Sequence, residues 1–258
     1  HAFSNTFEWD TLIEQVAAMT IREYRKGERV QTIGSHPLRP GPRWRLEGII
    51  PEGDIALLFG AGGIGKSLFA LACGVAVQQG WNGLGLEAAK GNVLYLDWEW
   101  GAQEHNDRLL ELEAGMELDF HPQLSYRYCV RRLADDIEQI QQIVLDQNIK
   151  LVLIDSAIPA LGGAREAKEN AEPLFSALRS LAGVSALVIS HQTKDPEQKT
   201  KTPYGDVFFT NRARHVLELR AVSEEGAEEL QLGLFLHKSN LPRRLVKGRF
   251  PLGFEVRQ

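Results

Sequence analysis

The stretch Phe59-Gly60-Ala61-Gly62-Gly63-Ile64-Gly65-Lys66-Ser67 holds the residues best suited to chemistry, and it fits two phosphate-binding patterns at once. From Gly60 to Gly65 it is GxGxxG, the dinucleotide fingerprint, and from Gly60 to Ser67 it is GxxxxGK(S/T), the nucleoside triphosphate loop. Both need a strand, a tight glycine turn and a helix start whose free N–H groups face an anion. The dinucleotide pattern also needs an acid about 20 residues on, at the end of the next strand. The acids that end the next apolar run, Asp97 and Glu99, lie further away than that. Lys66 and Ser67 are surplus to the dinucleotide pattern but central to the other, where an ammonium reaches the β and γ phosphates and a hydroxyl ligates Mg²⁺. The loop therefore reads as an ATP site lined by Gly60, Ala61, Gly62, Gly63, Ile64, Gly65, Lys66, Ser67 and Leu68.

A triphosphate loop implies a second strand ending in an aspartate that holds the metal shell. "KLVLIDS" supplies it: Leu151 to Ile154 make a strand buried on both faces, and Asp155 emerges at its carboxyl end. With Ser67, Asp155 is the expected Mg²⁺ site. A water attacking the γ-phosphate needs a carboxylate to orient or deprotonate it. In "VLYLDWEW", strand alternation puts Asp97 and Glu99 on one face and Trp98 and Trp100 on the other, so on this argument either acid could be the base.

The elements that must position these groups follow from the hydrophobic pattern. Short runs rich in Leu, Ile and Val, at Ile55 to Phe59, Val93 to Leu96, Leu124 to Val130, Leu151 to Ile154 and Ala186 to Ser190, read as strands. Between them Lys66 to Gln79, Ala102 to Ala114, Asp135 to Gln147 and Asn170 to Leu181 read as helices. This alternation predicts an α/β fold with a mostly parallel twisted sheet and helices on both faces. Beyond residue 206 the helical pattern is absent. Val216 to Leu219 and Leu230 to Leu236 are expected to extend the sheet as antiparallel strands. Residues 1–45 form a separate arm, helical from Trp9 to Tyr24 and basic, Pro-rich and turn-like from Arg25 to Arg45, with the ATPase domain at 46–258.

Bulk properties limit the function. The 258 residues suffice for one large domain, and the formal charge of −5 argues against coating nucleic acid by bulk electrostatics. No apolar run is long enough to cross a bilayer and no signal peptide is present, so a cytoplasmic protein with no membrane partner is expected. The two cysteines, Cys73 and Cys129, lie in apolar stretches and read as buried thiols rather than a disulfide or metal ligands. Because it begins with His1 rather than Met, the sequence reads as trimmed or as a piece of a longer protein.

The order of parts resembles the RecA-like ATPases, and more closely the RepA-type family of plasmid and phage hexameric replicative helicase ATPases, related to the DnaB helicases. "GAGGIGKS", "VLYLDWE", "LVLIDS", "LVISHQTK", "YGDVFFTNRARHVLEL", and "LHKSN" followed by "PLGFEV", carry the likeness over Leu46 to Phe254. The first and third are generic, and the last three are more particular to this branch. The resemblance implies that Glu99 is the catalytic glutamate and that His191 or Gln192 senses the γ-phosphate. It further implies a homo-oligomeric ring, hexameric in the family, in which Lys238 and Arg212 or Arg214 act on the neighbour's nucleotide. Two polar loops, Ala157 to Glu169 and Lys194 to Tyr204, would line a channel, with Lys194, Lys199 and Lys201 tracking the phosphates of single-stranded DNA. Replication or mobile-element proteins would be further partners. The other reading is a RecA-like ATPase used as a switch or assembly module. A nucleotide kinase fits poorly, since no arginine-rich lid lies between Asp155 and His191.

Overall fold

The computed structural model describes residues 8–26, 32, 34, 43–164, 171–192, 203, 207–223, 230–240 and 252–256. The chain divides into two compact units, His1–Pro40 and Gly41–Gln258. The first holds α1, Trp9–Lys26, with Asp10 in its first turn where it complements the helix dipole. Most of the basic stretch Arg25 to Arg45, residues 165–169 of the loop Ala157 to Glu169, and most of the loop Lys194 to Tyr204, with Lys194, Lys199 and Lys201, lie outside the described residues. Among the described residues no helix is long and apolar enough to cross a membrane.

The second unit opens with a short hairpin, β1 (Trp44–Leu46) and β2 (Ile50–Pro51). There follow β3 (Ile55–Gly60), α2 (Lys66–Gln79), β4 (Asn92–Asp97), α3 (Ala102–Gly115), β5 (Ser125–Tyr128), α4 (Ile137–Asp146) and β6 (Ile149–Asp155). Next come α5 (Ala157–Leu161), α6 (Glu172–Ser180), β7 (Ser185–His191), α7 (Val207–Arg212), β8 (His215–Ala221), β9 (Leu230–Ser239) and β10 (Leu252–Val256). One eight-stranded sheet runs in the order β10-β9-β8-β3-β7-β6-β4-β5. The six strands from β8 to β5 are parallel, and β9 and β10 are antiparallel additions.

Alternation along the strands splits the core into two layers. Leu57, Phe59, Leu96, Val152, Ile154 and Val188 face α4, α5 and α6, while Ala56, Leu58, Tyr95, Leu153 and Ile189 face α2 and α3. Because both faces are covered, the strands read as continuous apolar runs rather than alternating ones, which is what made them legible. Helix α2 is apolar almost all round and is accordingly buried along most of its length.

Three details differ from the sequence reading. A helix, α7, forms past residue 206, ahead of β8. That helix helps return the chain to the amino end of the sheet, so β8 pairs with β3 in parallel and the antiparallel part begins only at β9. Within the expected loop Ala157 to Glu169, the first five residues are the helix α5. Cys73 and Cys129 are buried and free.

Candidate nucleotide site

The site is built at the carboxyl ends of β3, β4, β6 and β7. At the end of β3, a Cβ added to Gly60 would lie 2.5 Å from the carbonyl oxygen of Leu219 on β8, so only glycine lets the loop leave the sheet here. Gly65 caps α2 with φ 90°, in the left-handed region. It has no side chain to occupy the first N–H groups of the helix, and no acid sits in the first turn. These free donors and the positive end of the helix dipole fit an anion. Ile64 and Leu68 anchor the loop on the α2 side of the core.

Lys66 is 5% exposed, and its Nζ donates to the carbonyls of Gly60 at 3.2 Å and Ala61 at 2.6 Å. Burial lowers its pKa, while the nearby Asp155 and Glu99 carboxylates oppose that shift. Asp155 ends β6 on the face toward α2. Burial raises its pKa against hydrogen bonds from the Ser67 hydroxyl and from the Tyr95 hydroxyl, the latter 2.6 Å from Oδ2. A cation among these groups would relieve both the buried acid and the crowding of carboxylates. Among the described residues no cluster of three or more His, Cys, Asp or Glu could hold a metal by itself. The donor set, one hydroxyl and one carboxylate, suits Mg²⁺, which completes its shell with water and phosphate oxygens.

The two acids after β4 are separated by their partners. Asp97 is fully buried and its carboxylate accepts from four donors: the N–H of Glu99 at 2.9 Å, the N–H of Trp100 at 3.2 Å, the Tyr126 hydroxyl at 2.9 Å and His105 Nε2 at 3.1 Å. Burial alone would raise its pKa; the hydrogen bonds led by that of His105 outweigh it and hold the group below the usual range. Glu99 is partly open, accepts from the Ser156 hydroxyl, and has Oε1 3.9 Å from His191 Nε2. His191 holds its pKa down, against burial and with help from Ser156.

His191 ends β7 opposite Gly60, and the next residue, Gln192, gives its backbone N–H to the Gly60 carbonyl at 3.1 Å. The turn expected to sense the phosphate is thus tied to the phosphate loop itself. The structure brings together Lys66, Ser67, Asp155, Glu99 and His191, with Gln192 joined through its backbone.

The proposed trans cations lie elsewhere. Lys238 spends all three ammonium donors on the carbonyls of Thr210, Asn211 and Ala213, at 2.7, 3.2 and 3.0 Å, around the carboxyl end of α7. Arg214 gives its N–H to Ile55, the first residue of β3, and pairs loosely with Asp54 at 3.6 Å. Arg212 pairs with Glu172 of α6 at 2.6 Å. Ile55 to Gly60 is five strand steps, roughly 16 Å at about 3.3 Å each, so Arg214 sits at the opposite end of the sheet from its own phosphate loop. Sequence reasoning missed Tyr95, His105, Tyr126 and Ser156. The signal for Tyr95 was present, since it shares a β4 face with Asp97.

Comparison with known proteins agrees with this architecture. A family model described as an AAA domain matches residues 22–197, well over half of the chain. Among solved structures, a KaiC-like protein from the hyperthermophilic archaeon Pyrococcus horikoshii OT3 superposes with a TM-score of 0.56 at 19% identity, over 83% of this chain and 94% of that one. At that identity the likeness is one of fold. No curated protein matches the sequence.

Proposed function

From the premise that the chain belongs to the AAA domain family and has the fold of a RecA-like P-loop ATPase, we propose that it is a Mg²⁺-dependent ATPase whose active sites form between subunits of a ring. Hydrolysis would drive translocation on, or unwinding of, DNA in replication of the plasmid or phage type. In this reading the loop from Gly60 to Leu68 holds the phosphates through backbone N–H groups. Lys66 leaves its two carbonyl partners to meet the β and γ phosphates, and Ser67 and Asp155 hold Mg²⁺, which supplies charge neutralisation on the transferred group. Glu99 accepts the proton of the attacking water while Ser156 and His191 hold its carboxylate.

The observation that supports the ring is the placement of Lys238 and Arg214 at the amino end of the sheet. Charge developing on the γ-phosphoryl needs a cationic partner. These residues cannot supply it to their own loop across the length of β3, whereas a neighbouring subunit could present them. A hexamer, single-stranded DNA as ligand, and replication or mobile-element proteins as partners belong to the same reading by resemblance.

The −5 charge favours a second reading, in which hydrolysis switches a partner protein or filament. One experiment separates the two: ATPase rate with and without single-stranded DNA, alongside the mass of the assembly by light scattering. Stimulation of a ring by DNA supports the motor. A ring that hydrolyses ATP with no response to DNA would sink it and leave the switch.

A further inference from the structure

We propose that Asp97 is a positioning residue whose carboxylate, clamped by His105 and Tyr126, fixes the turn that carries Glu99. The proposal rests on the reading of Glu99 as the base.

Chain geometry makes such a clamp necessary. The backbone at the end of β4 is held by its neighbours, since the Trp98 N–H donates to the Asp155 carbonyl at 2.8 Å and the Asp97 carbonyl accepts from the Cys129 N–H at 2.7 Å. Two residues later the chain has left the sheet, and α3 begins after Gly101 with no side-chain cap. The N–H groups of Glu99 and Trp100 both donate to the Asp97 carboxylate, an Asx-type closure that sets the direction of the Glu99 side chain.

A side chain that orients a turn must itself be oriented, and two further elements do this. His105 is 3% exposed and shares the inward stripe of α3 with Leu109 and Leu112 at helical spacing. Because the ionised Asp97 can only accept, the His105 Nε2 facing it carries the proton. Tyr126, on the neighbouring strand β5, reaches the same oxygen, and its hydroxyl is also 3.4 Å from the Trp100 carbonyl, closing the turn from its far side. Tyr95 packs beside both, with ring centroids 4.6 Å from His105 and 6.4 Å from Tyr126, and donates to Asp155. One buried polar layer thus sets the expected base and the expected metal ligand in a common frame.

An acid that acts only through Glu99 has a signature that an acid needed for folding lacks. In the full chain, Asp97→Asn should lower kcat about 10- to 100-fold, the scale of a misplacement near 1 Å, while the Kd of a fluorescent ATP analogue stays within about twofold. In the Glu99→Gln background the same change should cost nothing further, because there is no base left to misplace. Tyr126→Phe, the milder variant, should repeat the pattern with a loss of several-fold, and it carries the cycle alone if Asp97→Asn fails to fold. Wild-type turnover in both single variants, or losses that multiply with Glu99→Gln, would overturn the proposal. An Asp97→Asn protein as inactive as Glu99→Gln beside a normal Tyr126→Phe would make Asp97 the base and overturn it too. Normal turnover by Glu99→Gln on its own marks failure of the base assignment itself, and removes the ground for the clamp.

Discussion

At the carboxyl ends of β3, β4, β6 and β7, ionisable side chains face one another: Lys66 beside Asp155 and Glu99, Glu99 beside His191. At the amino end of β8, charged side chains face the backbone or a single acid: Lys238 on three carbonyls, Arg214 near Asp54. In the proposed reading the first region holds most of an active site in one chain. The second holds cations without a phosphate within reach in the same chain. A ring assembled head to tail would join them, and the contrast between a self-contained cluster and a set of held cations is what the variants below test.

The largest effects belong to the first region. Lys66→Ala removes the cation proposed to meet the β and γ phosphates and should lower kcat/KM at least about 10⁴-fold in a steady-state phosphate-release assay. Glu99→Gln keeps the shape and the Ser156 hydrogen bond but removes the proton acceptor. It should stop turnover by about 10³-fold while ATP binding, followed by equilibrium dialysis, persists. If Asp97→Asn does this and Glu99→Gln does not, the site has to be rebuilt around the other carboxylate.

Next in size is the second region. Lys238→Ala should cost about 10²-fold in the assembled protein if the ammonium serves a neighbour. It should cost nothing in turnover per folded subunit if the ammonium only caps α7. Mixing separates these outcomes. If the ammonium serves a neighbour, Lys238→Ala subunits alone should be about 10²-fold slower than wild type and Lys66→Ala subunits alone nearly inactive. Together they form some interfaces with an intact phosphate loop on one side and an intact lysine on the other, so activity should return. No recovery in mixed assemblies of confirmed size would place Lys238 in a purely structural role.

These tests fall where the sequence was less informative. The phosphate loop and Asp155 were legible because both sit at the ends of strands buried on two faces, where a continuous apolar run followed by Gly or Asp is unmistakable. The choice between Asp97 and Glu99 was not legible from alternation alone, since both share a strand parity and their difference lies in long-range donors, His105 and Tyr126, on other elements. The parallel direction of β8 was missed for a similar reason. Direction depends on the path of the connection before it, and α7 is only six residues long, too short to show a period of its own.

A smaller effect ties the two regions through the strand between them. Gly60→Ala places a methyl group against the Leu219 carbonyl on β8, where backbone cannot yield easily. About 1–3 kcal/mol of stability should be lost, read as a shift in urea midpoint, with ATP affinity falling alongside it as the loop is displaced. Unchanged stability with lost affinity would mean that the loop, not the sheet, absorbs the strain.

The smallest effect concerns Glu218, on β8 at the level of Phe59, between the two ends. It is 1% exposed and accepts from both His237 on β9 and Arg220. Burial would raise its pKa, but His237 and then Arg220 outweigh that and hold it below the usual glutamate range. A depressed carboxyl pKa adds stability that is fully present above the unfolded value, about 4.3, and is lost as pH falls through the folded one. Wild type should therefore exceed Glu218→Gln by about 2 kcal/mol near neutral pH, with the gap closing in acid below about pH 4. Asp155 works with the opposite sign: its raised pKa means that protonation on acidification relieves a cost of burial, so Asp155→Asn should be no less stable than wild type at neutral pH. A carboxylate that stabilises the sheet and one that burdens it, each tied into the same parallel strands, would mark the Glu218 cluster on β8 and β9 as structural and the Asp155 end as functional. Equal pH profiles for the two variants would erase that distinction.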